Sequence, residues 1–378
     1  MPKFNQLVLD NALPFSNYIA DCRALIENRR LQSHAQKNSL LPANFAQIME
    51  ANSPYELYPT QPIYLHNRLK YGVLLIHGLL DCPFSLKDIG LHLQQQGMLV
   101  RAVLLPGHGT VPSDLLDVSY QDWIETVRYG VETLKKEVDQ IFLIGYSTGA
   151  ALSIYHALQD PLIAGIILLS PAIKIKVPVH LVMGWEQGLK WISRSKNQWF
   201  CREKEIDYAK YRSIPFNAVN QVTKLTRVIQ QLNKTKPLET PLFIAISRED
   251  ETVSSKSALQ FFANLSNQQN RLLLYTANAF QTTDSRIIIR QATYPDLNIK
   301  HLSHVALPFS PTNQHYGEKG DFLLNKNKDL CLHGAYNRIE RKIYAFLYQI
   351  GLAKKIRCEL TYNPDFSFMA DNISQFIL

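Results

Sequence analysis

From residue 71 onward, short continuous apolar runs alternate with stretches whose apolar residues recur every three or four positions. Tyr71 to Ile76 (YGVLLI) is the first such run, and Phe84 to Gln96 follows with Phe84, Leu86, Ile89 and Leu93 at helical spacing. Met98 to Leu105 is the second run, and Tyr120 to Lys136 is helical by Trp123, Ile124, Val127, Val131 and Leu134. The series continues with a strand over 141–146, a helix over 148–159 and a strand over 164–169. It pauses after Pro171 and resumes at Pro241 with LFIAIS, a helix over 254–264, a strand over 271–275 and a helix near 335–352 bearing Ile339, Ile343, Phe346 and Ile350. Strands that are apolar throughout must be covered on both faces, so the pattern predicts an α/β fold with a mostly parallel sheet flanked by helices.

Residues outside this series divide the chain. Residues 1–60 predict a helical extension, with Phe15, Ile19, Cys22 and Ile26 on one face and a short second helix carrying Phe45, Ile48 and Met49. Residues 61–352 form the main domain, interrupted at about 172–240 by an insertion in the position of a lid, and 353–378 form a tail. Of 378 residues, 46% are hydrophobic and 19% charged, which excludes a disordered chain. No apolar run reaches membrane-spanning length and the N-terminus has no signal-peptide core. The five cysteines, at 22, 82, 201, 331 and 358, show no paired spacing, so neither a disulfide framework nor a metal site is expected, and a cytoplasmic location is the default.

The chemistry concentrates at Gly145-Tyr146-Ser147-Thr148-Gly149, where a strand meets a helix. A serine on such a turn stands exposed above a helix N-terminus, between glycines that relieve crowding. Its hydroxyl needs a base, and an imidazole base needs an acid to fix its tautomer. In this sheet order both follow the serine. The acid candidate is Asp250, just past the LFIAIS strand, with Glu249 and Glu251 as immediate rivals. The base candidate is His304 in Ser-His-Val, with His301 and His315 as rivals; His333, opening the last helix, reads as a surface residue. Two backbone N–H groups would hold the oxyanion, one from Thr148 and one from Leu79 in the loop after YGVLLIHG. His77 and His108 read as loop braces.

These residues together resemble the α/β-hydrolase superfamily, and more closely its small-cap bacterial carboxylesterases and monoacylglycerol lipases. The resemblance rests on LLIHGLL, LLPGHGT, DLLDVSYQDW, GYSTG, the Asp250 strand end and SHV, across about residues 50–350. It implies a Ser-His-Asp triad of Ser147, His304 and Asp250, oxyanion donors at Leu79 and Thr148, and no cofactor or metal. The expected activity is hydrolysis of a carboxylic ester through an acyl-serine. A peptidase, thioesterase or acyltransferase would use the same groups, and an idle hydrolase scaffold acting as a binding protein is the non-enzymatic alternative. Two departures stand out: the terminal extensions, and a long Asp250–His304 interval whose RIIIRQA run reads as an extra strand.

Charge singles out one segment. Ala172 to Lys236 holds 13 Lys and Arg against 4 Asp and Glu, whereas the rest of the chain is close to neutral. Trp185, Trp191 and Trp199 lie in the same stretch. Without a recognition helix or a stacking motif this does not indicate nucleic acid. It suits a solvated lid, or peripheral contact with an anionic membrane around a small acyl ester or lipid substrate.

Overall fold

The computed structural model describes residues 7, 9–35, 45–174, 198–324 and 330–378. The chain divides into two compact units, one of residues 1–166 and 177–240, the other of residues 167–176 and 241–378.

The first unit opens with α1 (Phe15–Ala35) and α2 (Phe45–Asn52). Helix α1 buries Phe15, Cys22 and Ile26 as the spacing predicts, with Tyr18 rather than Ile19 completing the face. Tyr18 lies 5.1 Å from the Tyr129 ring, and Arg30 donates to the Gly109 carbonyl at 3.1 Å, so the extension is anchored on the unit. Then follow β1 (Tyr55–Leu57), β2 (Tyr64–Leu65), β3 (Arg68–Ile76), α3 (Lys87–Gln95), β4 (Leu99–Val103), α4 (Tyr120–Lys135), β5 (Val138–Tyr146) and α5 (Thr148–Gln159). Strands β3, β4 and β5 are parallel and hydrogen-bonded with β3 between the other two. Short β1 and β2 join β4 and β3 antiparallel. The second half of β3 is wholly buried, which its uninterrupted apolar run requires. Ser119 starts α4 with a capping box to Asp122, satisfying donors at the helix start while Trp123, Val127, Val131 and Leu134 turn inward.

Strand β6 (Ile163–Leu169) begins in the first unit and ends in the second. Within the expected lid, the described residues form β7 (Trp199–Cys201), β8 (Ile214–Pro215) and α6 (Phe216–Thr235). Helix α6 buries Ala218, Val222, Leu225 and Ile229 and packs on α5. Trp185 and Trp191 lie outside the described residues.

The second unit contains β9 (Leu242–Ser247), α7 (Ser255–Ala263), β10 (Arg271–Thr276), β11 (Ile287–Gln291), α8 (Asp321–Leu324), β12 (Cys331–Gly334), α9 (Arg338–Gln349), β13 (Ile356–Glu359) and α10 (Phe366–Ile377). Strands β9, β10 and β11 are parallel, and β11 is the strand read from RIIIRQA. Both units therefore present parallel strands with helices alongside, the α/β architecture the pattern predicts.

Three expectations are corrected here. Cys331 and Cys358 form a disulfide across the parallel pair β12–β13, while Cys22, Cys82 and Cys201 remain thiols. Spacing alone missed the bridge because only pairing of two distant strands brings the cysteines within reach. His333 is not a surface residue: it lies in β12 and is buried. The apolar side chains Ile339, Ile343, Phe346 and Ile350 of α9 face solvent instead of the core. Residues 353–378, expected as a C-terminal tail, hold β13 and α10, the latter burying Phe366, Met369, Ala370, Ile373 and Ile377.

Candidate active site

Ser147 occupies the turn between β5 and α5 with φ 55° and ψ −109°, a left-handed conformation that costs a non-glycine residue about 1–3 kcal/mol. The strain is held by packing on both sides. A Cβ on Gly149 would fall 1.9 Å from the Ile76 carbonyl oxygen, and one on Gly145 would fall 2.3 Å from the Gly149 carbonyl carbon. Helix α5 can thus approach the end of β3 only with hydrogen at both positions. The Ser147 carbonyl accepts the Ala151 N–H at 3.3 Å, so the residue is the N-cap of α5 and its side chain stands at the positive end of that helix.

The loop after β3 lies against this turn. A Cβ on Gly78 would lie 3.3 Å from Ser147 Cβ, so Leu79, the next residue, begins a backbone path beside the serine. Thr148 opens α5, where backbone N–H groups have no partner within the helix. His77 braces the loop: its Nε2 accepts the Leu105 N–H at 3.0 Å and its Nδ1 faces the Gly78 carbonyl at 2.8 Å. Burial, then the neighbouring His108, holds the His77 imidazole well below its ordinary pKa. His108 bonds to the Leu105 and Pro106 carbonyls through Nδ1 and, buried, is lowered to about 4. Both rings are neutral structural groups at physiological pH.

Sequence reasoning passed over a strap on this loop, residues 207–211. The Tyr211 N–H donates to the carbonyl of Leu80, itself left-handed at φ 65°, at 2.8 Å. Cys82 Sγ lies 3.1 Å from the Ala209 carbonyl, and Lys210 Nζ lies 3.6 Å from Asp81 Oδ2. Burial raises the Asp81 carboxyl to about 6 against the opposing pull of Lys210. Asp81 could have been singled out in HGLLD, but nothing in the sequence pairs it with a lysine more than a hundred residues away.

In the second unit Asp250 and His304 meet. Asp250 sits in the turn after β9, where its Oδ1 accepts the N–H groups of Thr252 and Val253, both at 2.8 Å. That local turn aims the other oxygen, Oδ2, at His304 Nδ1 at 2.8 Å. Burial alone would raise the Asp250 carboxyl, but the charge and hydrogen bond of His304, with the two backbone donors, hold it below its ordinary value. A proton on Nδ1 leaves the lone pair on Nε2. The histidine's loop is pinned by Ser247 Oγ donating to the Leu302 carbonyl at 2.9 Å and by Ser303 Oγ donating to the Leu360 carbonyl.

The rival residues have other partners. Glu251 binds His304 at the backbone, where its Oε2 accepts the His304 N–H at 3.0 Å. Burial, then the charges of Asp250 and Glu359, raise the Glu251 carboxyl. Glu249 accepts from Thr276 Oγ1 and the Ala277 N–H. His301 Nδ1 accepts the Ala335 N–H at 2.7 Å, and buried His315 pairs with Asp321.

Residues 68–279 match the family described as serine aminopeptidase, S33. The chain is 26% identical over 222 residues to a thermostable monoacylglycerol lipase of Bacillus sp. (strain H-257), covering 58% of this chain and 87% of that one. It is 23% identical over 229 residues to a carboxylesterase of Bacillus subtilis (strain 168), covering 59% and 90%. A solved structure described as LipS and LipT, two metagenome-derived lipolytic enzymes, is 21% identical with a TM-score of 0.50, covering 62% and 89%, and this likeness bears on the fold. Since the family match takes in more than half of the residues, the chain belongs to the serine aminopeptidase S33 family and is a serine hydrolase of the α/β-hydrolase fold.

Proposed function

We propose that the chain hydrolyses a carboxylic ester, of the carboxylesterase or monoacylglycerol and lysophospholipid lipase type, through an acyl-serine intermediate. The observation that carries the reading is the strained, glycine-flanked Ser147 at the head of α5 with the Gly78–Leu79 loop against it. Ser147 Oγ transfers its proton to His304 Nε2 and attacks the carbonyl carbon. Asp250 keeps the His304 proton on Nδ1 and stabilises the imidazolium that forms. The N–H groups of Leu79 and Thr148 receive the oxyanion, a contribution of about 3 kcal/mol for each effective donor. His304 then protonates the departing alcohol, and water attacks the acyl-serine by the same path in reverse. No step calls for a cofactor.

The names of the two Bacillus relatives favour an ester over an amide, although the family name keeps aminoacyl amides as the rival substrate class. Residues 172–240 are proposed as the lid, with the positive charge of 172–236 favouring acyl substrates in anionic surroundings. Among the described residues no helix is long and apolar enough to cross a membrane. The cytoplasmic proposal loses the support of unpaired cysteines through the Cys331–Cys358 bridge.

A fluorophosphonate probe followed by peptide mapping tests the nucleophile. One adduct on Ser147, absent in Ser147→Ala, is expected, together with at least a thousandfold loss of ester hydrolysis. An adduct elsewhere, or none on folded protein, overturns the reading. A parallel panel of ester, thioester and aminoacyl-amide substrates decides the leaving group.

A further inference from the structure

Helix α9 presents its apolar residues outward. Ile339, Ile343, Phe346 and Ile350 recur at i, i+4, i+7 and i+11, which places them within an arc of about 60° on a helix of 3.6 residues per turn. They are 70%, 49%, 59% and 50% exposed, and Leu352 just beyond is 75% exposed. The opposite side holds the helix to its own unit. Arg341 pairs with Glu359 at 2.7 Å, and the Arg357 guanidinium lies 3.7 Å from the centre of the Tyr344 ring. The exposed strip is therefore a fixed feature, continuous over three turns.

We propose that this face of α9 docks onto an anionic lipid surface. Of the six Lys and Arg in residues 338–357, Arg341 and Arg357 hold the protein-facing side and Lys355 bonds to Asn298, while Lys342 and Lys354 are exposed and give the apolar strip a cationic edge. An anionic bilayer complements both features at once, taking the apolar side chains among its acyl chains and the ammonium groups among its headgroups. A second copy of this chain would bring one cationic rim against another. At 12 residues, or about 18 Å, the helix is too short to span a bilayer and suits lying in its surface. It is also formed in advance: Asn337 and Glu340 close a capping box at its start, and Cys331 and Cys358 close the loop that carries it. Docking therefore need not supply the ordering that a disordered basic segment would require. This inference is independent of the catalytic reading, since vesicle binding is measured without turnover.

The test is flotation of the full chain with phosphatidylcholine vesicles, with and without about one third phosphatidylglycerol. Three variants accompany the native chain: Ile343→Asp with Phe346→Asp, Lys342→Glu with Lys354→Glu, and Arg202→Glu with Lys224→Glu as a control within the lid segment. Lys342, Ile343 and Phe346 of α9 and Lys354 just beyond it are all exposed, and thermal unfolding checks that each variant keeps the native fold. Native protein should bind anionic vesicles at least about tenfold more strongly than neutral ones, and both α9 variants should lose at least about tenfold, more than the lid control loses through the charge proposed to favour anionic surroundings. The proposal is overturned if native protein ignores anionic vesicles, if the α9 variants bind unchanged, or if only the lid control loses binding. A native dimer that Ile343→Asp with Phe346→Asp disperses would also overturn it, in favour of a second copy on this face.

Discussion

Asp250 and Glu251 are chain neighbours that meet His304 through different atoms, one at the ring and one at the backbone. The local turn decides this, because Thr252 and Val253 hold the first oxygen of Asp250 and leave its second oxygen for Nδ1. The two substitutions Asp250→Asn and Glu251→Gln separate the roles. An asparagine amide can present its N–H₂ to Nδ1 and favour the wrong tautomer, so turnover should fall by about a thousandfold to ten-thousandfold. A glutamine at 251 keeps a carbonyl oxygen for the His304 N–H, and because the native carboxyl is already biased toward its neutral form, turnover should fall by less than about tenfold. Steady-state kinetics on a soluble ester checks both. Equally large losses would mean that both carboxyls are needed, and equally small ones that either can serve the imidazole.

At the scale of the element, the strand–turn–helix unit around Ser147 is fixed by contact distances rather than by polar bonds alone. With an added methyl at Gly149 only 1.9 Å from the Ile76 carbonyl, neither the end of β3 nor the start of α5 can yield without disturbing several neighbours. Gly149→Ala should therefore cost about 3 kcal/mol or more and sharply lower the yield of folded protein. Thermal unfolding of the purified variant measures it, and a native-like midpoint would show that α5 can shift. Ser147→Gly, by contrast, relieves the left-handed residue of its side chain and should raise stability while removing the nucleophile, the trade expected of a strained functional position.

At the scale of the whole molecule, the groups proposed to act together are drawn from both units, Ser147 from the first and Asp250 with His304 from the second. The second unit also carries the one disulfide among the described residues. Its cysteines are 27 residues apart, and closing a loop of that length restricts the unfolded chain by about 3–4 kcal/mol. Cys358→Ser should lower the unfolding midpoint in the absence of reductant, and reductant should bring the native chain to the variant's value. Thiol titration of denatured protein should count three thiols before reduction and five after it. Five before reduction would show that the bridge does not form in the purified chain.

The alternation of apolar runs and amphipathic stretches was enough to assign the α/β class, and the glycines around Ser147 were enough to mark the strand-to-helix turn. Both are local properties: burial periodicity and the steric needs of a tight turn are written into adjacent residues. The sequence favoured Asp250 over Glu249 and Glu251, and His304 over His301 and His315, without excluding the rivals. Contacts between residues some fifty positions apart settle which of them pair, and no local pattern encodes such contacts. The same holds for the Cys331–Cys358 bridge, for the strap from Tyr211 and Lys210 onto the Leu80–Asp81 loop, and for buried His333. Helix α9 shows the limit most directly. Its periodicity was legible as amphipathic, but period gives only the angle between apolar and polar faces. Which face turns to the protein is decided by what the tertiary structure sets beside it, here Glu359 and Arg357 on β13, and these hold the side that carries Arg341 and Tyr344.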